Sequence, residues 1–182
     1  MALHFARISL SVRVRLYPEA LETHVAVPPE RVAEMLAEQV QAHQARQRLG
    51  YYPALDYFRD CPDCGVDPDL LDTVDSMAWL AAQLARQETV RKLKAVFSSI
   101  DVLSVLNDVY NLPSVRPRQL NAFSELTRHF LPDTVKISMN VSLVQRRPQE
   151  GADLAGFARR MAHKWLKDSF RSVEVSQAHE IQ

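Results

Sequence analysis

Two stretches of strict alternation constrain the fold of this chain more than anything else in it. They are "RISLSVRVRLY" at Arg7–Tyr17 and "TVKISMNVSLVQ" at Thr134–Gln145. In the first, Ile8, Leu10, Val12, Val14 and Leu16 fall on one face, and Arg7, Ser9, Ser11, Arg13 and Arg15 on the other. In the second, Val135, Ile137, Met139, Val141 and Leu143 oppose Lys136, Ser138, Asn140 and Ser142. A period of two over this length fits a strand with one dry and one wet face and no other regular element. A half-wet sheet is antiparallel or mixed and is backed by helices on its dry side. The expected class is therefore α+β, with a mixed or antiparallel sheet built round two long strands at about residues 5–16 and 134–145.

The rest of the chain reads mostly as helix. "PPERVAEMLAEQVQAHQARQRLG" has proline and Glu30 in its first turn and Gly50 at its end. "DLLDTVDSMAWLAAQLARQ" carries a broad apolar face. "ETVRKLKAVFSSIDVLSVLNDVYNL" continues helical with a break near Ser98 or Ser99. "RPRQLNAFSELTRHFLP" spaces Leu120, Phe123, Leu126 and Phe130 by three and four. "EGADLAGFARRMAHKWLKDSF" places Leu154, Phe157, Ala158, Met161 and Trp165 on one side. "THVAV" and "RSVEVSQ" read as short strands. The sheet is thus expected to be packed by five or six helices. With 182 residues, a single α+β domain over 1–182 is the first division, and a helical lobe at 69–131 the second.

Charge is balanced overall, with 22 basic residues against 22 acidic ones, but unevenly placed. Seven Asp face one Arg between Asp56 and Asp75, while Arg146–Arg171 holds seven basic residues against three acidic ones. Such polarity favours oriented contact with a charged partner or a second copy of the chain. Arg7, Arg13, Arg15 and Lys136 on the wet strand faces, with Arg146, Arg147, Arg159, Arg160, Lys164 and Lys167, make a candidate footprint for an anion or a nucleic-acid backbone. No aromatic residue interleaves with these cations, so stacking on bases is not expected. The plain alternative is an ordinary solvated face.

Cys61 and Cys64, in "DCPDCG", are the only cysteines. Redox use needs a thiolate, and Asp60 and Asp63 beside the pair disfavour one. Zinc fits the turn but needs four ligands. They would come from a second copy of the chain, or from distant histidines such as His43, His129 and His163. Otherwise the pair is a quiet turn without metal. The preceding "YYPALDYF" carries Tyr51, Tyr52, Tyr57 and Phe58, which suit a partner contact or burial against the chain itself.

The residues carry no resemblance to a known family. There is no nucleophile elbow, phosphate loop or zinc-protease motif. Nor is there a run of about 18 apolar residues to cross a membrane. The N-terminus alternates too early for a signal-peptide core, so the expected location is cytoplasmic. The expected function is a non-catalytic adaptor or regulatory subunit acting through protein contacts, as a homodimer in one version. A nucleic-acid-binding protein is second and an enzyme without a recognisable motif third.

Overall fold

The computed structural model describes residues 3–22, 27–28, 31–32, 34–35, 38, 68–107, 133–146 and 151–181. Its elements are β1 (His4–Arg15), α1 (Pro18–Glu22), α2 (Pro68–Leu93), β2 (Ser99–Asn107), β3 (Thr134–Gln145), α3 (Leu154–Leu166) and β4 (Ser172–Ile181). The strands form one antiparallel sheet in the order β2-β3-β1-β4.

The chain divides into two compact units. One holds Met1–Tyr17, Ala82–Leu106 and Val135–Gln182, and the other Pro18–Ala81 and Asn107–Thr134. The first unit contains all four strands, the C-terminal half of α2, and α3. In chain order it reads βαββαβ, two split β-α-β halves whose strands interleave. Each half sends a strand, a crossover helix and a second strand into the sheet, with a strand of the other half between them.

The alternating stretches occupy the two central strands. Ile8, Leu10, Val12 and Val14 of β1 and Val135, Ile137, Met139 and Val141 of β3 are all buried. Helix α3 packs across β4 and β1 on that face. It buries Ala158, Ala162 and Leu166, one residue per turn. The sequence pattern includes Ala158 but adds Leu154, Phe157, Met161 and Trp165 in place of Ala162 and Leu166, and Phe157 and Trp165 are 43% and 39% exposed. Small alanines let the helix axis approach the sheet, and the bulky rings are left at the margin. Asp153 caps this helix, its Oδ1 accepting from the Gly156 N–H at 2.9 Å.

The expectation of five or six packing helices is overturned. Among the described residues three helices have both ends placed, and only two of these have seven residues or more. Four strands spaced about 4.8 Å apart make a face that two helices of about 10 Å diameter already cover. Further, "SIDVLSVLN" is strand β2 and not a continuation of α2. The helix ends at Leu93 with a Lys94–Val96 turn, and Phe97 is buried. Ser98 then joins β3, its N–H and Oγ both donating to the Ser142 carbonyl at 2.8 and 2.9 Å.

Thr89 in α2 is fully buried, and its hydroxyl has no hydrogen-bond partner. A buried orphan hydroxyl costs about 1–3 kcal/mol. Thr89→Val keeps the shape and removes the orphan, so thermal unfolding of the variant is expected about 2–8 °C higher.

In the second unit Leu21, Val32, Leu70, Met77, Ala78 and Ala81 are buried. Asn107 donates through its side-chain amide to the Ala78 carbonyl at 3.3 Å. Arg31, Val32, Glu34, Met35 and Glu38 are helical, and Val32 N–H reaches the Pro28 carbonyl at 3.1 Å. The expected helix "RPRQLNAFSELTRHFLP" and most of the expected strand "THVAV" lie outside the described residues.

Candidate functional site

The sheet unit presents two surfaces that bear charge: the sheet face not covered by helices, and the grooves between each helix and an outer strand.

The uncovered face follows from the register of β1 with β4. Arg7, Ser9, Ser11, Arg13 and Arg15 stand opposite Ile181, His179, Gln177, Glu174 and Ser172. Lys136, Ser138, Asn140 and Ser142 of β3 have the same strand parity, and Lys136 is exposed. On β2, the Ser99 hydroxyl meets the Ser142 hydroxyl at 2.9 Å, which places Ser99 and Asp101 on this face as well. The face is therefore rows of hydroxyls and amides with cations among them. Phe5 extends the β1 row and is 64% exposed. Glu174 directly opposite Arg13 offsets one of the cations.

The sequence-derived footprint thus separates into two parts. Arg7, Arg13, Arg15 and Lys136 share the uncovered face, whereas Arg160, Lys164 and Lys167 are exposed on or just after α3, in the helical layer behind it. Arg159 is committed elsewhere, donating through Nη1 to the Val175 carbonyl at 2.7 Å. Arg146 follows β3 and is exposed; Arg147 lies outside the described residues. One continuous patch does not form, because the helix can bury its alanines only on the dry face of the sheet. The partner-contact residues Tyr51, Tyr52, Tyr57 and Phe58 and the thiols Cys61 and Cys64 also lie outside the described residues. Among those residues no group of three or more His, Cys, Asp or Glu is placed to hold a metal ion.

The two outer strands differ. At β4, the pairing shifts between Ser11 and Val12, so that Gln177 and Val175 are their partners and Ser176 is the extra residue of a bulge. The Ser176 hydroxyl donates to the Ser11 carbonyl at 3.1 Å. Together the bulge and the Arg159 guanidinium on Val175 disrupt this edge. At β2, the C-terminal half of α2 runs alongside and leaves a groove of about 700 Å³. Arg86, Val90 and Arg91 wall it on the helix, with Lys94 just past the helix end, and Ile100, Asp101 and Val102 on the strand. Arg91 is held by Glu88 through two bonds of 2.7 and 3.2 Å. Those hydrogen bonds lower the Glu88 carboxyl pKa and raise that of the Arg91 guanidinium.

Because the folded Glu88 pKa is depressed, the pair stabilises above the ordinary glutamate range and the contribution is lost as pH falls through it. Glu88→Gln is therefore expected to lower the melting temperature slightly at pH 7 and progressively less as pH falls below the ordinary glutamate range. The pair is exposed, so the difference should shrink in high salt.

Sequence reasoning misses Arg86, Arg91 and Lys94 as a set. Arg86 and Arg91 lie on α2 and Lys94 just past its end, and the groove that gathers them exists only once the next segment is a strand. No helix among the described residues is long and apolar enough to cross a membrane. Comparison with known proteins finds no match among protein families, curated sequences or solved structures.

Proposed function

We propose that the chain is a cytoplasmic, non-catalytic binding module whose sheet unit engages an acidic surface of a protein partner. The observation that supports this most is how charge is partitioned in a neutral chain. The sheet unit holds 15 Lys and Arg against 7 Asp and Glu, a net +8; the other unit holds 7 against 15, a net −8. Fields of this size steer association and select partners by sign. The uncovered face offers the elements of a protein interface: arginines, an exposed aromatic at Phe5, and small hydrogen-bonding side chains.

A second reading, backbone contact with nucleic acid, is favoured by Arg7, Arg13, Arg15 and Lys136 sharing one face. Fluorescence anisotropy at low salt separates the two, with polyglutamate and a single-stranded oligothymidylate as probes. Protein-partner use predicts that polyglutamate binds and that Arg13→Glu with Lys136→Glu weakens it. Nucleic-acid use predicts tighter binding of the oligonucleotide, its affinity falling steeply with salt and its salt slope dropping by about one per cation removed. If neither probe binds, both readings fail.

A further inference from the structure

We infer that the outer edge of β2 is a docking site for an extended acidic peptide, which adds to the sheet as a fifth strand with its carboxylates facing α2. The inference deepens the protein-partner reading above and rests on it.

An outer strand leaves a row of backbone N–H and C=O groups unpaired on one side, and folded proteins blunt such edges with bulges, lysine, proline or a cover. The edge at β4 is blunted in this way by its bulge and by the Arg159 guanidinium. The edge at β2 is nine residues long, and "SIDVLSVLN" contains neither proline nor lysine. Leu103, in the middle of this strand, is 58% exposed. Helix α2 does not close over the strand; it leaves the groove beside it. Strand addition beside a helix provides backbone hydrogen bonds for affinity and side-chain pockets for specificity.

The occupant follows from charge. Arg86, Arg91 and Lys94 line the helix side of the groove. Arg91 is paired with Glu88, whereas Arg86 and Lys94 make no ion pair among the described residues. A second copy docking β2 against β2 would bring two units of net +8 and two sets of these cations together, which opposes that arrangement. On the groove side an acidic strand meets Arg86, Arg91 and Lys94 against the single carboxylate of Asp101, which also lines the groove. By strand parity the exposed Asp101 side chain projects toward the uncovered face, where it would repel a carboxylate. The fitting sequence therefore alternates, with acidic residues toward α2 and uncharged residues toward Asp101.

The test uses the full chain with two labelled eight-residue peptides, one alternating Glu with Thr and the other Lys with Thr. Anisotropy should detect the Glu peptide at least tenfold more tightly than the Lys peptide. Arg86→Glu with Lys94→Glu should weaken it at least tenfold, and by more than Arg13→Glu with Lys136→Glu on the uncovered face does. Hydrogen exchange should slow at β2 amides when the peptide is bound. N-methylation of alternate peptide amides should abolish binding in one register and spare it in the other; these controls leave the protein unaltered. Equal binding of both peptides, indifference to N-methylation, or protection confined to β1 and β3 would each overturn the inference. So would an oligothymidylate that competes for the same β2 amides. If the Glu peptide fails while polyglutamate still responds to Arg13→Glu with Lys136→Glu, the edge site falls and the binding-module reading stands.

Discussion

Leu10→Ala is expected to cost about 2–5 kcal/mol, the largest loss from any conservative truncation on β1. Leu10 lies mid-strand on the second central strand, fully buried, with Ala178 of β4 opposite it. Because its cross-strand neighbour is already an alanine, no flexible side chain from β4 can move in to fill the space. The cavity term then adds in full to the lost transfer free energy of the removed atoms. Against a total of about 5–15 kcal/mol for a domain, this leaves the sheet unit marginal. Equilibrium urea unfolding followed by circular dichroism would show the midpoint fall with little change in slope. Ser9→Ala, one residue away on the uncovered face, should change stability by no more than about 0.5 kcal/mol. Equal effects of the two would contradict the assignment of faces.

The second large effect is expected at Phe170, the bulkiest of the fully buried side chains. It sits between the end of α3 and the start of β4, where two backbone bonds fix the turn. Ser169 N–H reaches the Leu166 carbonyl at 3.0 Å, and Arg171 N–H reaches the Arg15 carbonyl at 2.8 Å. The second of these bonds leads directly into the β1–β4 ladder, which begins at Arg15 and Ser172. Phe170→Ala should cost about 3–5 kcal/mol in urea unfolding. It should also speed hydrogen exchange at Arg171 before the amides of β3 respond. Phe157→Ala, in the half-exposed ring position of α3, should cost about 1 kcal/mol or less.

What the sequence reveals about this fold depends on how local the deciding interactions are. The faces of β1 and β3 can be read from alternation alone because a slip of one residue would expose every buried side chain on the strand. Helix α3 is also legible, and so is Ala158 in its buried stripe, but the rest of the stripe is not. Hydrophobicity ranks Phe157 and Trp165 above Ala162, and only the distance to the sheet decides for the alanine. In "SIDVLSVLN" the apolar residues at 100, 102, 103, 105 and 106 fit a helix about as well as a strand. Ser142, more than forty residues away in sequence, supplies the hydrogen bonds that decide it. The edge groove is invisible for the same reason, since it needs β2 as a strand. In "SVEVSQAHEI" a simple alternation would place Gln177, His179 and Ile181 with Val173 and Val175. The bulge at Ser176 reverses that and sends all three to the uncovered face.

That bulge also bears on how many chains can join. A sheet open at both ends can extend at either, and repeated pairing gives a filament of no fixed length. Ser176 and Arg159 close one end of this sheet. A further strand at β4 would have to pair past that irregularity, which leaves β2 as the regular edge of the described sheet. The extra residue in β4 thereby makes the two ends of the sheet unequal, and repeated end-to-end pairing is disfavoured. Deleting Ser176 would keep every remaining β4 side chain on its present face and straighten the strand.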